Sequence, residues 1–179
     1  MGAVQPPSYE QQMQIAAAIS GRPLSSIVYF PLTGGELGDT VDDWDHGYWH
    51  EPTQGVQLTT AELVVSAVWS WDSHRSIYQL GLHRGPMSVH LLGIDGSFGA
   101  RAVDVSKHPR WVPFTQFDVV ASLPSEATGL NRPLGSLGLR LDADDAIAWV
   151  RTGRGETQAM TTGTVFDTFD TDDVMVLFE

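Results

Sequence analysis

The chain has 179 residues, no cysteine, and 10 Lys and Arg against 22 Asp and Glu, giving a formal net charge of -12. Without thiols there can be no disulfide framework, thiolate zinc site or cysteine nucleophile, and the acid surplus opposes non-specific binding to phosphate backbones. No apolar stretch reaches the about 20 residues of a membrane-spanning helix, and Met1 to Gln12 has neither a positive stretch nor a long apolar core, so no secretory signal is expected.

A chain of this size suits one domain that removes about 70% of its unfolded surface from water without staples. Pro6 and Pro7 lead into a predicted helix over Tyr9 to Ser20, with Ser8 and Gln11 at capping-box spacing. Gly21 sits where a helix stops, with Pro23 beyond it. Ser25 to Phe30 reads as a strand, whereas Pro31 to Gly55 is rich in Gly, Asp and aromatic residues and has no period. A loop of that length inside a compact domain is usually functional or covers something.

From Glu62 the pattern turns to period two. Leu63, Val65, Ala67, Trp69 and Trp71 alternate with smaller residues, as a half-buried strand should. Asp72 to Arg75 turns the chain, Ile77 to Arg84 returns, and Gly85-Pro86 turns it again. Ser88 to Ile94, the hairpin dipeptide Asp95-Gly96 and Phe98 to Val105 complete an expected four-stranded meander. A tight turn at Pro86-Met87 pairs Leu82 with Leu91 on one face and His83 with His90 on the other. Lys107 to Pro113 reads as a loop carrying Trp111, Thr115 to Leu123 as a strand, and Pro124 to Pro133 as a loop. Leu137 to Leu141 and Ala146 to Arg151 form a hairpin about the Asp142 to Asp145 turn. Val174 to Phe178 is continuously apolar, the mark of a strand buried on both faces. The expected fold is mainly β: an antiparallel β-sandwich or barrel-like meander with one short N-terminal α-helix. The arm and helix occupy 1–23, and a single β-rich domain occupies 24–179.

The densest chemical cluster is the run from Asp42 to Glu51. Asp42, Asp43, Asp45 and Glu51 supply acceptors, and Trp44, Tyr48 and Trp49 supply aromatic faces. These seven are the candidate binding residues. They suit a protein contact with aromatic anchors inside an acidic rim, or a small-ligand or carbohydrate platform. Equally, the aromatic residues can fold back onto the core and leave the acids hydrated. His46 and His50 are ligand types a cation accepts, but Gly47 breaks the helix that would align them, so no metal ion is expected. His83 and His90 make at most half a metal site.

No catalytic residue and no cofactor are expected. Asp72-Ser73-His74 are chain neighbours that point apart, and the glycines at 93, 96 and 99 flank a hairpin instead of opening a helix. The only lysine, Lys107, precedes His108, which excludes a P-loop. Asp142, Asp144 and Asp145 fit a solvated turn. Pro6-Pro7-Ser8-Tyr9 matches the Pro-Pro-x-Tyr ligand of WW domains, though it also serves as a helix lead-in.

The expected function is a non-catalytic protein–protein interaction subunit, a structural component of a larger oligomeric assembly of the phage or virus-particle type. Its partners would be copies of itself or other assembly subunits, without nucleic acid or membrane, in an intracellular or virion setting. An alternative is an acidic inhibitor of immunity type covering a basic enzyme, and a further one is a ligand or carbohydrate binder using loop 42–51.

Overall fold

A computed structural model describes residues 6–31, 44–47, 49–72, 77–90, 101–124, 138–152 and 174–179. Two five-stranded antiparallel sheets face each other across one core. The first sheet runs in the order β5-β4-β3-β1-β6, from strands β1 (Ser26–Tyr29), β3 (Gly55–Thr59), β4 (Val64–Asp72), β5 (Ile77–Arg84) and β6 (Val103–Asp104). The second runs β2-β10-β9-β8-β7, from β2 (Trp49–Thr53), β7 (Val120–Ser122), β8 (Leu139–Ala143), β9 (Ala146–Thr152) and β10 (Val174–Phe178). Period-two burial explains the packing. Ile27, Tyr29, Leu58, Val65 and Leu82 point inward from the first sheet, and Leu139, Leu141, Val150, Val174 and Val176 meet them from the second. This is a β-sandwich, as the sequence pattern predicts.

Helix α1 (Tyr9–Ile19) begins where expected. Ser8 Oγ accepts the Gln11 N–H at 3.2 Å, and Gln11 Oε1 accepts the Ser8 N–H at 2.9 Å. Its buried face sends Ile15, Ala16 and Ile19 into the main core. The helix also covers two sheet edges. The fully buried Gln12 accepts the Leu82 N–H of β5 at 3.0 Å and donates to Pro7 O at 2.9 Å. Ser20 Oγ accepts the Ala121 N–H at 2.9 Å, while Gly21 N–H donates to Val119 O at 2.8 Å, so β7 is covered too. These three backbone groups are thus unavailable to another strand.

Three local expectations change. Thr115 to Leu123 does not form one strand: Val112–Gln116 is a short helix, α2, and pairing begins at Val120. Pro113 near the start of α2 suits a first helical turn. The expected meander ends after the β4–β5 hairpin. Met87–Val89 turns as a 3-10 helix, and β6 pairs with β1 at the opposite edge of the sheet. Met87 then packs with Phe30 and Val68 on the outer face, where Ser66 Oγ donates to Gly85 O and Ser70 lies against His83, so Ser66, Val68 and Ser70 of β4 are buried along with Val65 and Ala67. The supposed loop from Pro31 to Gly55 contains β2, which leads through Gln54 into β3 in the other sheet. Crossing between sheets hides the alternation, because neither segment runs beyond five residues.

Val174–Phe178 is buried at every position within the single chain, as its apolar run implies. The Asp95-Gly96 hairpin, most of the Asp72 to Arg75 turn and all but the first residue of the Pro124 to Pro133 loop lie outside the described residues. No helix among the described residues is long and apolar enough to cross a membrane.

Candidate functional site

Residues 44–47 lie back against the outer edge of β2 through the antiparallel bridge between Asp45 and His50. Asp45 Oδ1 accepts the Gly47 N–H at 2.9 Å, and Gly47 adopts φ +91°, which glycine reaches without strain. His46 N–H then donates to Trp49 O at 3.0 Å, and Glu51 N–H to Trp44 O at 2.8 Å. Strand alternation in β2 leaves Trp49 and Glu51 half-buried and turns His50 fully into the interior.

His50 is the centre of a polar cluster drawn from three parts of the chain. On one side Tyr29 Oη of β1 lies 2.7 Å from His50 Nδ1, and the Trp111 indole N–H donates to Tyr29 Oη at 2.6 Å. On the other, His50 Nε2 lies 3.5 Å from Asp45 Oδ1. His108 enters from the loop between β6 and α2, with Nε2 at 3.1 Å from Asp45 Oδ2. Arg110 ties the same loop to residues 44–47 by donating from Nε to Gly47 O at 3.2 Å.

Hydrogen-bond logic assigns the protons. The Arg110 backbone N–H donates to His108 Nδ1 at 3.3 Å, so the His108 proton sits on Nε2 and points at Asp45. Tyr29 already accepts from Trp111, so its own hydroxyl donates to His50 Nδ1 and leaves the His50 proton on Nε2. That Nε2 is buried, yet its approach to Asp45 does not meet hydrogen-bond geometry, and it has no hydrogen-bond partner. A buried polar atom left so costs about 1–3 kcal/mol.

Burial pushes His50 down to about 4, and the neighbouring His108 adds to the effect, so the ring is neutral at pH 7. The Gly47 N–H holds the Asp45 carboxyl below the usual range against a smaller opposing effect of burial, with His108 assisting. Burial raises the Tyr29 phenol well above its ordinary value, against the Trp111 N–H, so it stays a neutral donor. Aromatic rings close the cluster. Trp44 meets Tyr29, His50 and His108 edge-on with centroids at 5.2, 5.0 and 5.8 Å, and Phe178 lies 4.8 Å from His50.

Of the seven residues singled out, Asp42, Asp43 and Tyr48 lie outside the described residues. Trp44 folds back onto the core beside the histidines. Asp45 is exposed at the mouth of the cluster. Trp49 stacks on His46 with centroids 3.9 Å apart, and Glu51 Oε2 lies 3.7 Å from His46 Nε2. Asp45, His50 and His108 offer ligand atoms all within 4.8 Å of one another, which makes them the group able to hold a cation among the described residues. His46 does not belong to that group. No spacing rule marks His108, which is 58 positions from His50. Its only signal is a histidine in a proline-bracketed loop.

His83 and His90 do come together, with centroids 4.4 Å apart, but across the 3-10 turn and not a two-residue hairpin. They line a cleft of about 460 Å³ with Pro7, Gln11, Gln14 and Arg84.

A second surface feature stands at the far end of the second sheet. Phe117 and Val120 are 46% and 59% exposed. The pairing of Val120 with Asp142 carries Asp118 toward the exposed turn at Asp144 and Asp145. The nearby cations are engaged elsewhere: Arg140 grips Asp142 through two nitrogens, and Arg22 pairs with Glu62 at 2.6 Å. Two exposed apolar side chains thus flank Asp118 along the chain, and Asp118, Asp144 and Asp145 form no ion pair among the described residues. Comparison with known proteins returned no match: no family model fits the sequence, and neither curated proteins nor solved structures gave a significant likeness.

Proposed function

We propose that the chain is a non-catalytic protein–protein interaction module whose partner presents a basic surface. The observation that carries this reading is the exposure of Phe117 and Val120 beside Asp118, Asp144 and Asp145. Exposed apolar anchors with charged neighbours are the composition of an interface centre and its rim. The acid surplus steers a cationic partner toward it and repels a second copy of the same chain, which also carries -12. An inhibitor-like or immunity-like cover for a basic enzyme therefore suits this surface better than a homo-oligomeric particle subunit does. Such a role fits an intracellular protein.

The test compares the immobilised chain with a Phe117→Ser, Val120→Ser double variant for capture of basic proteins at low and high salt. Capture by the unmodified chain alone, fading as salt rises, supports the reading. Equal capture by the variant, or concentration-dependent self-association in light scattering, overturns it.

A further inference from the structure

We propose that Asp45, His50 and His108 bind one divalent cation of the zinc class, which clasps residues 44–47 and β2 to the loop between β6 and α2. The reasoning starts from distances. A tetrahedral cation with bonds of 2.0–2.2 Å needs its ligand atoms about 3.3–3.6 Å apart. His50 Nε2 stands 3.5 Å from Asp45 Oδ1, and His108 Nε2 stands 3.1 Å from Asp45 Oδ2. All three ligand atoms lie within 4.8 Å of one another, so modest closure on a central ion completes the set.

The second observation is independent of those distances. His50 is fully buried, and its Nε2 is aimed into the cluster without a hydrogen-bond partner. An ion at the centre supplies the missing partner. Behind the ring, the Tyr29 hydroxyl at 2.7 Å, itself held by the Trp111 N–H at 2.6 Å, fixes its orientation, as outer-shell groups do for metal-bound histidine.

Ligation needs no net loss of protons from the imidazoles. Each ring moves its proton from Nε2 to Nδ1. His50 Nδ1–H then donates to the second lone pair of Tyr29 Oη, whose own hydroxyl proton gives up His50 as its acceptor, and His108 gives up the 3.3 Å contact from the Arg110 N–H. Two imidazole nitrogens and one carboxylate suit zinc, cobalt or nickel, whereas calcium and magnesium demand a shell of oxygens. Asp45 is exposed, so a fourth position opens toward solvent and water.

The experiment titrates chelator-treated full chain with Co²⁺, following visible absorption, and with Zn²⁺ by calorimetry. The expected result is one ion per chain, intense bands of a low-coordinate Co²⁺ site, and their loss when Zn²⁺ is added. Asp45→Asn and His108→Ala lie toward the surface and should weaken binding at least about tenfold, with the metal-free urea midpoint little changed. His46→Ala, outside the cluster, should bind as the parent does. Absence of bands and heat in the unmodified chain overturns the proposal. Unchanged binding in both cluster variants, or a preference for Ca²⁺, overturns it as well.

Discussion

The Tyr29 hydroxyl lies 2.7 Å from His50 Nδ1, and both side chains are wholly removed from solvent. Tyr29 also accepts the Trp111 N–H at 2.6 Å, so one phenol satisfies two buried ring nitrogens from β2 and the α2 approach. Tyr29→Phe keeps the ring and its packing but orphans both nitrogens. Chemical denaturation should show a loss of about 2–6 kcal/mol, the sum of two unmet buried groups. Trp111→Phe, at a fully buried indole, adds a packing defect and should cost more.

Gln12 is the analogous link between helix and sheet. Its side chain accepts the Leu82 N–H at 3.0 Å, on the side of β5 where no further strand pairs among the described residues. Gln12→Leu preserves bulk but leaves that amide unmet, for an expected loss of about 1–3 kcal/mol. Hydrogen exchange provides a local readout. The Leu82 amide should lose protection more than the amides of β9, and uniform loss across the sheets would contradict the link.

His83 provides a pH prediction. Burial, with the His90 ring 4.4 Å away, pushes it from 6.5 down to about 4. The unfolded chain therefore takes up a proton that the folded chain refuses between those two values. The associated stability is complete above pH 6.5 and is lost as pH falls toward 4, by up to about 3 kcal/mol. Carboxylates such as Asp104 add their own acid sensitivity, since the Ser106 hydroxyl and N–H hold it below the ordinary range. The comparison that isolates the histidine is His83→Gln, whose urea midpoint should fall less between pH 7 and pH 4.5.

Gly55 marks the point where the chain returns to the first sheet as β3. A Cβ there meets the Ala67 carbonyl oxygen and comes within 2.8 Å of Met87 Cε. Gly55→Ala should cost about 3 kcal/mol or more through overpacking against backbone. Gly21 has φ +82° with open space around its Cβ position, so Gly21→Ala meets only conformational strain of about 1–2 kcal/mol. Melting temperatures of the two variants should therefore differ clearly, with Gly55→Ala the lower.

Much of the architecture is local and is therefore legible in the order of residues. The Ser8–Gln11 capping box, the period-two strands and the apolar run at Val174–Phe178 each state their own conformation, because a helix cap and a pleat are set by neighbours three and two residues apart. Cysteine absence and net charge likewise remove whole classes of chemistry from residue counts alone. What stays hidden depends on which surfaces meet. Nothing near Val103 says that it pairs with Tyr29 at the far edge of the sheet instead of extending a meander. Nothing near Trp111 says that its indole, the one buried side chain from Lys107 to Pro113, belongs to the core.

The site shows the same division. Asp45 and His50 are visible in the sequence as ligand types, and Gly47 between them as a residue that breaks a helix. Only the folded sandwich brings His108 across 58 positions, sets Tyr29 behind His50, and sends His46 away to stack on Trp49. Pattern along a chain determines conformation and which face is apolar. Convergence of side chains from β1, β2 and a distant loop follows from sheet order, which is decided by the packing of two faces against each other, and that information is spread over the whole sequence.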